Sequence, residues 1–106
     1  MATRSHLETQ LAVVAGFDDP RADLEQYPTP PDLAAHVVHL ADLNGDIEDR
    51  VVIDLGTGTG MVALGAALRG PEAVVGVDID RSALTAAAEN RRRVGTTTSI
   101  GWVCAD

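Results

Sequence analysis

Apolar positions recur first at the helical period and later in short unbroken runs. From Ser5 to Ala15, the residues Leu7, Leu11, Val14 and Ala15 fall at helical spacing. Thr3 or Ser5 can cap the start of that helix and Gly16 can end it. A turn-rich stretch follows from Phe17 to Pro31, with Pro28, Pro30 and Pro31 near its end. A second helix is predicted to begin at Pro30 or Pro31, because proline suits a first helical turn, with Thr29 as its N-cap. Leu33, Val37, Leu40 and Ala41 make its apolar face, and Asn44-Gly45 stops it.

After Arg50 the pattern changes. Arg50 to Leu55 and Ala73 to Val77 are β-branched runs of the kind that form buried strands, and Ile100 to Cys104 reads as a third. Between them lie a helix from Met61 to Arg69, ended by Gly70-Pro71, and a helix from Arg81 to Val94 with Asp80 as N-cap. The predicted order is α, α, β, α, β, α, β. Alternation with short loops implies an α/β fold with a parallel sheet and right-handed crossovers.

The turn after the first strand carries most of the chemistry. It reads Asp54-Leu55-Gly56-Thr57-Gly58-Thr59-Gly60. Glycines there let the backbone turn tightly and bring N–H groups against a ligand, and the next helix offers its positive end. A dinucleotide site uses G-x-G-x-x-G, whereas this turn is G-x-G-x-G with an acid two residues upstream. A carboxylate at Asp54 would repel a pyrophosphate and attract an ammonium. S-adenosylmethionine carries an ammonium and a sulfonium and no phosphate, so the local chemistry favours it over NAD. Asp78, at the end of the second strand, lies about 20 residues past the glycines, where an acid receives ribose hydroxyls. Asp80 is better explained as a helix cap. Asp106 ends the third strand, where an acid can accept from an adenine amino group.

Composition narrows the class. The chain has 106 residues, of which 45% are hydrophobic, enough for a single domain with a core and too many for disorder. One cysteine excludes a disulfide framework, and no apolar run is long enough to span a membrane. With a polar N-terminus as well, the expectation is a soluble, cytoplasmic protein. The net charge is −8, and all eight basic residues are arginine. An acidic, lysine-free surface suits molar salt, where the Debye length falls to about 3 Å, and a salt-adapted source is expected. That charge suits RNA binding poorly unless basic residues cluster or a partner supplies them.

VVIDLGTGTG followed by VVGVDID resembles the class I S-adenosylmethionine-dependent methyltransferases. The upstream LEQYPTP, after the Gly16-Phe17 step, is similar to the archaeal and eukaryotic small-subunit rRNA adenine-N6 methyltransferases. The resemblance implies a Rossmann-like fold of which this chain is the N-terminal half. Residues 1–45 are then a helical extension, and residues 50–106 are the first part of the sheet. It implies S-adenosylmethionine as cofactor, with Gln26 and Thr29 over its methionine end and Gly56, Thr59, Gly60 and Met61 in the glycine turn. Asp54 would lie beside that turn, Asp78 at the ribose and Asp106 beside the adenine. The implied partners are an rRNA substrate and a small zinc-binding activator protein. The Asn-Pro-Pro motif on which that family's reaction rests is not in these residues, so the catalytic groups are expected beyond Asp106. Protein glutamine-N5 methylation and a non-catalytic nucleotide-binding module are the alternatives.

Other residues are read as structural. His6, His36 and His39 have no third metal ligand near them in sequence. Cys104 is expected in the core, and Trp102 in packing rather than on a base. Arg91-Arg92-Arg93 would complement a helix C-terminus, or alternatively contact RNA phosphates. The first strand, lacking a neighbour on its outer side, is expected to leave an apolar edge.

Overall fold

The computed structural model describes residues 3–16 and 28–106. Its elements are α1 (Arg4–Leu11), α2 (Pro31–Leu43), β1 (Val51–Leu55), α3 (Met61–Ala67), β2 (Ala73–Asp78), α4 (Arg81–Val94) and β3 (Ile100–Cys104). The strands form one parallel sheet in the order β1-β2-β3, with Val51 opposite Ala73 and Val74 opposite Ile100. Because side chains alternate along a strand, Val52, Val74, Ile100 and Trp102 face the helical layer and pack into its core. Val51, Ile53, Leu55 and Val103 lie on the opposite face and are exposed. No helix among the described residues is long and apolar enough to cross a membrane.

The helical layer departs from the periodicity reading on α2 and α1, and α3 ends at Ala67 rather than Arg69. On α2 the buried residues are Ala34, Ala35 and Val38, whereas the larger Leu33, Val37 and Leu40 are exposed. The cause is close approach to α3. A Cβ added at Gly65 would come within 3.1 Å of Val38 and 3.2 Å of Leu11, so the face of α2 that carries Val38 is the one turned to α3. The start of α2 also differs, since Pro30 and not Thr29 occupies the N-cap position. Thr29 is thus free of the capping role the sequence assigned it.

The second departure is the end of α1. Thr3 caps its start by accepting the His6 N–H at 3.0 Å, but the helix stops at Leu11 rather than Ala15. Ala15 cannot continue it, because the Asn90 side chain takes both its N–H and its C=O, each at 2.9 Å.

A buried ion pair joins the helices. Arg69 donates to Asp42 at 2.7 Å and to the Thr3 carbonyl at 3.2 Å, with the Arg69 and Asp42 side chains 5% and 8% exposed. One guanidinium therefore ties together the start of α1, the end of α2 and the segment after α3. It also lies 3.3 Å from His39 Nδ1, and Arg4 lies 3.4 Å from His36 Nδ1, which gives both histidines structural neighbours. Among the described residues no cluster could hold a metal ion.

Candidate cofactor site

The glycine turn sits at the carboxyl end of β1, where an open α/β sheet presents its ligand crevice. Gly56, Gly58 and Gly60 have φ of 72°, 57° and 91°, in the left-handed region that residues with a Cβ avoid. The turn is closed by Gly60 N–H donating to the Thr57 carbonyl at 2.9 Å, and tied to β2 by Thr57 N–H donating to the Val77 carbonyl at 2.8 Å.

Asp78 fastens this loop to β2. One of its carboxylate oxygens accepts the Gly58 N–H at 2.8 Å and the other accepts the Asp80 N–H at 2.9 Å. The acid that the spacing assigned to a ribose therefore already touches the glycine turn. Asp80 caps α4 through Ser82, as expected.

Asp54 lies beneath the turn. It accepts the Thr57 hydroxyl at 2.8 Å and a backbone N–H from Ala63 in the first turn of α3. Burial raises its pKa above the ordinary 3.8, and the Asp78 carboxylate adds to the rise, while the two hydrogen bonds oppose it. Two acids beside one loop make this region favourable for a cation and unfavourable for a phosphate.

The remaining predicted residues fall as follows. Thr59 is buried within the turn, and Met61 opens α3 with its side chain in the core. Asp106 is exposed just past β3, and the adjacent Ala105 N–H donates to the Asp78 carbonyl at 3.0 Å, so the ends of β2 and β3 lie together. Thr29 is half-buried at the foot of α2, and among the described residues no hydrogen bond joins it to the glycine turn. Gln26 lies outside the described residues.

Cys104 is exposed, contrary to the core expectation, because β3 is an edge strand whose last residue stands clear of the helices. Trp102 packs as expected, lying across Gly76 and reaching Gly60. A Cβ on Gly76 would come within 2.6 Å of that indole and 2.9 Å of the Thr57 hydroxyl, so this glycine lets the ring support the turn from below. Its signal in the sequence is a lone glycine inside a β-branched run. Asn90, fully buried on α4, was also missed and holds the Thr59 carbonyl at 3.0 Å. Each of the three arginines makes one hydrogen bond within the chain, and the Arg92 side chain remains 80% exposed. Arg91 donates to the Thr98 carbonyl, Arg92 to Glu89 and Arg93 to Asn90.

The donor set fits a nucleoside cofactor that carries positive charge and no phosphate. Each Asp78 oxygen has one N–H and retains acceptor capacity for a ribose hydroxyl. An ammonium near Asp54 would relieve the electrostatic cost of its burial.

Comparison with known proteins agrees. The family model for ribosomal protein L11 methyltransferase (PrmA) matches residues 37–103. The rRNA N(6)-adenosine-methyltransferase Mettl5 of Drosophila melanogaster is 43% identical over 79 residues, covering 74% of this chain and 37% of that protein. A crystal structure of a candidate RNA methyltransferase from Pyrococcus horikoshii superposes with a TM-score of 0.84 at 36% identity, over 96% of this chain and 51% of that one. An RNA methyltransferase from Salinibacter ruber in complex with S-adenosyl-L-homocysteine gives a TM-score of 0.63 at 27% identity, over 76% of this chain and 50% of that one. The chain thus spans about half or less of the length of these relatives. On its glycine turn, its strand-end acids and these likenesses together, it belongs to the class I S-adenosyl-L-methionine-dependent methyltransferases, in the family the L11 methyltransferase model describes.

Proposed function

We propose that the protein carrying this chain methylates the N6 atom of an adenine in ribosomal RNA. In this reading the 106 residues are the cofactor-binding part of a single domain, with 1–45 as a helical extension and 50–106 as the Rossmann-like half. The observation that carries the cofactor assignment is the Asp78 carboxylate, held on the glycine turn by the Gly58 N–H at 2.8 Å. When bound, the cofactor supplies a methyl group on a positively charged sulfur.

The chain's own residues bind and orient. Asp78 accepts the ribose hydroxyls, and Asp106 accepts from the adenine amino group. Gly56, Thr59, Gly60 and Met61 shape the turn, Asp54 attracts the ammonium, and Gln26 and Thr29 cover the methionine end. Holding the methyl in line with an incoming amine lowers the barrier mainly by positioning. The target amine is held by residues outside this chain, which contains no Asn-Pro-Pro.

Support for RNA as substrate comes from the likeness to Mettl5, which covers 74% of the chain, and from the LEQYPTP block. A net charge of −8 opposes RNA binding, so a partner or a basic region elsewhere in the protein is proposed to supply part of the RNA affinity. A small zinc-binding activator protein is the partner proposed, and the cytoplasm is the proposed location.

The match to the L11 methyltransferase model favours a second reading, methylation of a ribosomal protein. One experiment separates them. The full-length protein is incubated with unmethylated ribosomal subunits and methyl-labelled cofactor. Label recovered as N6-methyladenosine from digested small-subunit rRNA is the expected result. Label confined to protein would replace this reading with the second.

A further inference from the structure

Asn90 lies in the interior of α4 and is fully buried. Asparagine is a poor choice there, since its amide competes with helical hydrogen bonds and costs free energy when buried unsatisfied. An amide offers two donors and two acceptor lone pairs, and all four of these are used. Nδ2 donates to the Ala15 carbonyl at 2.9 Å and to the Thr59 carbonyl at 3.0 Å. Oδ1 accepts the Ala15 N–H at 2.9 Å and the Arg93 guanidinium at 2.7 Å.

These partners lie far apart in sequence. Thr59 stands between two left-handed glycines, and its carbonyl direction fixes the peptide leading into Gly60. Ala15 begins the segment that leads away from α1. Its neighbour Gly16 lies against Pro28, since a Cβ at Gly16 would be 3.7 Å from the Pro28 Cβ. The two ends of the intervening stretch are therefore side by side, and Asn90 secures one of them to the glycine turn. Among the described residues the turn is fastened from outside by the Val77 carbonyl on the Thr57 N–H, Asp54 on the Thr57 hydroxyl, Asp78 on the Gly58 N–H and Asn90 on the Thr59 carbonyl, and of these Asn90 alone also holds Ala15.

We propose that Asn90 is a positioning residue that couples the N-terminal arm at Ala15 to the glycine turn and thereby sets the affinity for the amino-acid end of the cofactor. This rests on the S-adenosylmethionine reading of the site. Asn90 touches no ligand itself. It acts by holding the Thr59 carbonyl, and it makes the arm part of the site's support. Binding at the turn must then be felt at Ala15, because a coupling between two sites is reciprocal.

The test uses the full-length protein with S-adenosylhomocysteine and adenosine as probes. Asn90→Ser is expected to weaken S-adenosylhomocysteine about tenfold, the equivalent of one lost buried hydrogen bond, with adenosine affinity within about twofold of wild type. A purely structural role would lower both affinities together or neither, and either pattern overturns the proposal. Should the variant fail to fold, amide exchange in the wild-type protein decides. S-adenosylhomocysteine is expected to slow exchange at the Ala15 and Gly60 N–H groups in parallel, and slowing at Gly60 with Ala15 unchanged overturns the coupling. Wild-type protein that is folded but binds no S-adenosylhomocysteine overturns the cofactor reading, and this role with it.

Discussion

Asp54 is a carboxylate held above its ordinary pKa of 3.8, first by burial and then by Asp78. Between 3.8 and that raised value the folded protein keeps a proton that the unfolded chain has released. Stability therefore falls as pH rises through this window, and the deficit persists at neutral pH. Asn can still accept the Thr57 hydroxyl, so Asp54→Asn is expected to make the ligand-free protein more stable than wild type at pH 7. The difference should vanish below 3.8, as read by urea unfolding at several pH values. A cationic ligand prefers the ionised carboxylate, so cofactor affinity should rise with pH through the same window, and Asp54→Asn should flatten that rise. Gly76 shows the opposite sensitivity. Gly76→Ala drives a methyl into the Trp102 ring and is expected to cost ~2 kcal/mol by overpacking, measured by the same unfolding. Asp54, Asp78 and the three turn glycines were legible in the sequence because each is a residue type with one strong reason to stand there. Gly76 and Asn90 were not, because their reasons are partners distant in the chain.

At the scale of elements, the strands and α4 follow the pattern of apolar runs almost residue for residue. α2 does not, although its span was read correctly. Periodicity assigns the largest apolar residues to the core, but α2 turns the face with Ala34, Ala35 and Val38 inward, with Val38 against Gly65, and leaves the leucines outward. α1 likewise stops early, where the Ala12 and Val14 N–H groups bond three residues back, and Ala15 beyond it is held by Asn90, which no local signal announces. What holds these helices in register is the Arg69–Asp42 pair. Asp42→Ala leaves a buried guanidinium without its counter-charge and is expected to cost about 3–5 kcal/mol. Because Arg69 also bonds the Thr3 carbonyl, the loss should appear as faster amide exchange in α1 as well as α2.

Across the whole molecule the apolar surface is unevenly distributed. On β1, Val51, Ile53 and Leu55 are 56%, 62% and 78% exposed, and Leu33, Val37, Leu40 and Leu43 leave a stripe along α2. An uncovered sheet face and a helix face of this kind invite association. The 106 residues alone are expected to self-associate in sedimentation, with Ile53→Lys shifting them towards monomer. The sequence predicts an apolar edge on β1; β1 is an edge strand among the described residues, but the exposed apolar side chains stand on the sheet's uncovered face. It did not foretell the α2 stripe, for the packing reason given above. The net charge of −8 without lysine adds a second expectation: thermal stability should rise steadily with KCl up to molar concentration, as screening removes self-repulsion.

In the proposed reading S-adenosylmethionine binds at the strand ends and is anchored on Asp78. Calorimetric titration in molar KCl tests it most directly, with NAD as the control ligand and Asp78→Ala as the control protein. Saturable binding of S-adenosylmethionine by the wild-type protein is expected, lost in Asp78→Ala and absent with NAD. Equal binding by a folded Asp78→Ala, or binding of NAD in place of S-adenosylmethionine, would contradict it.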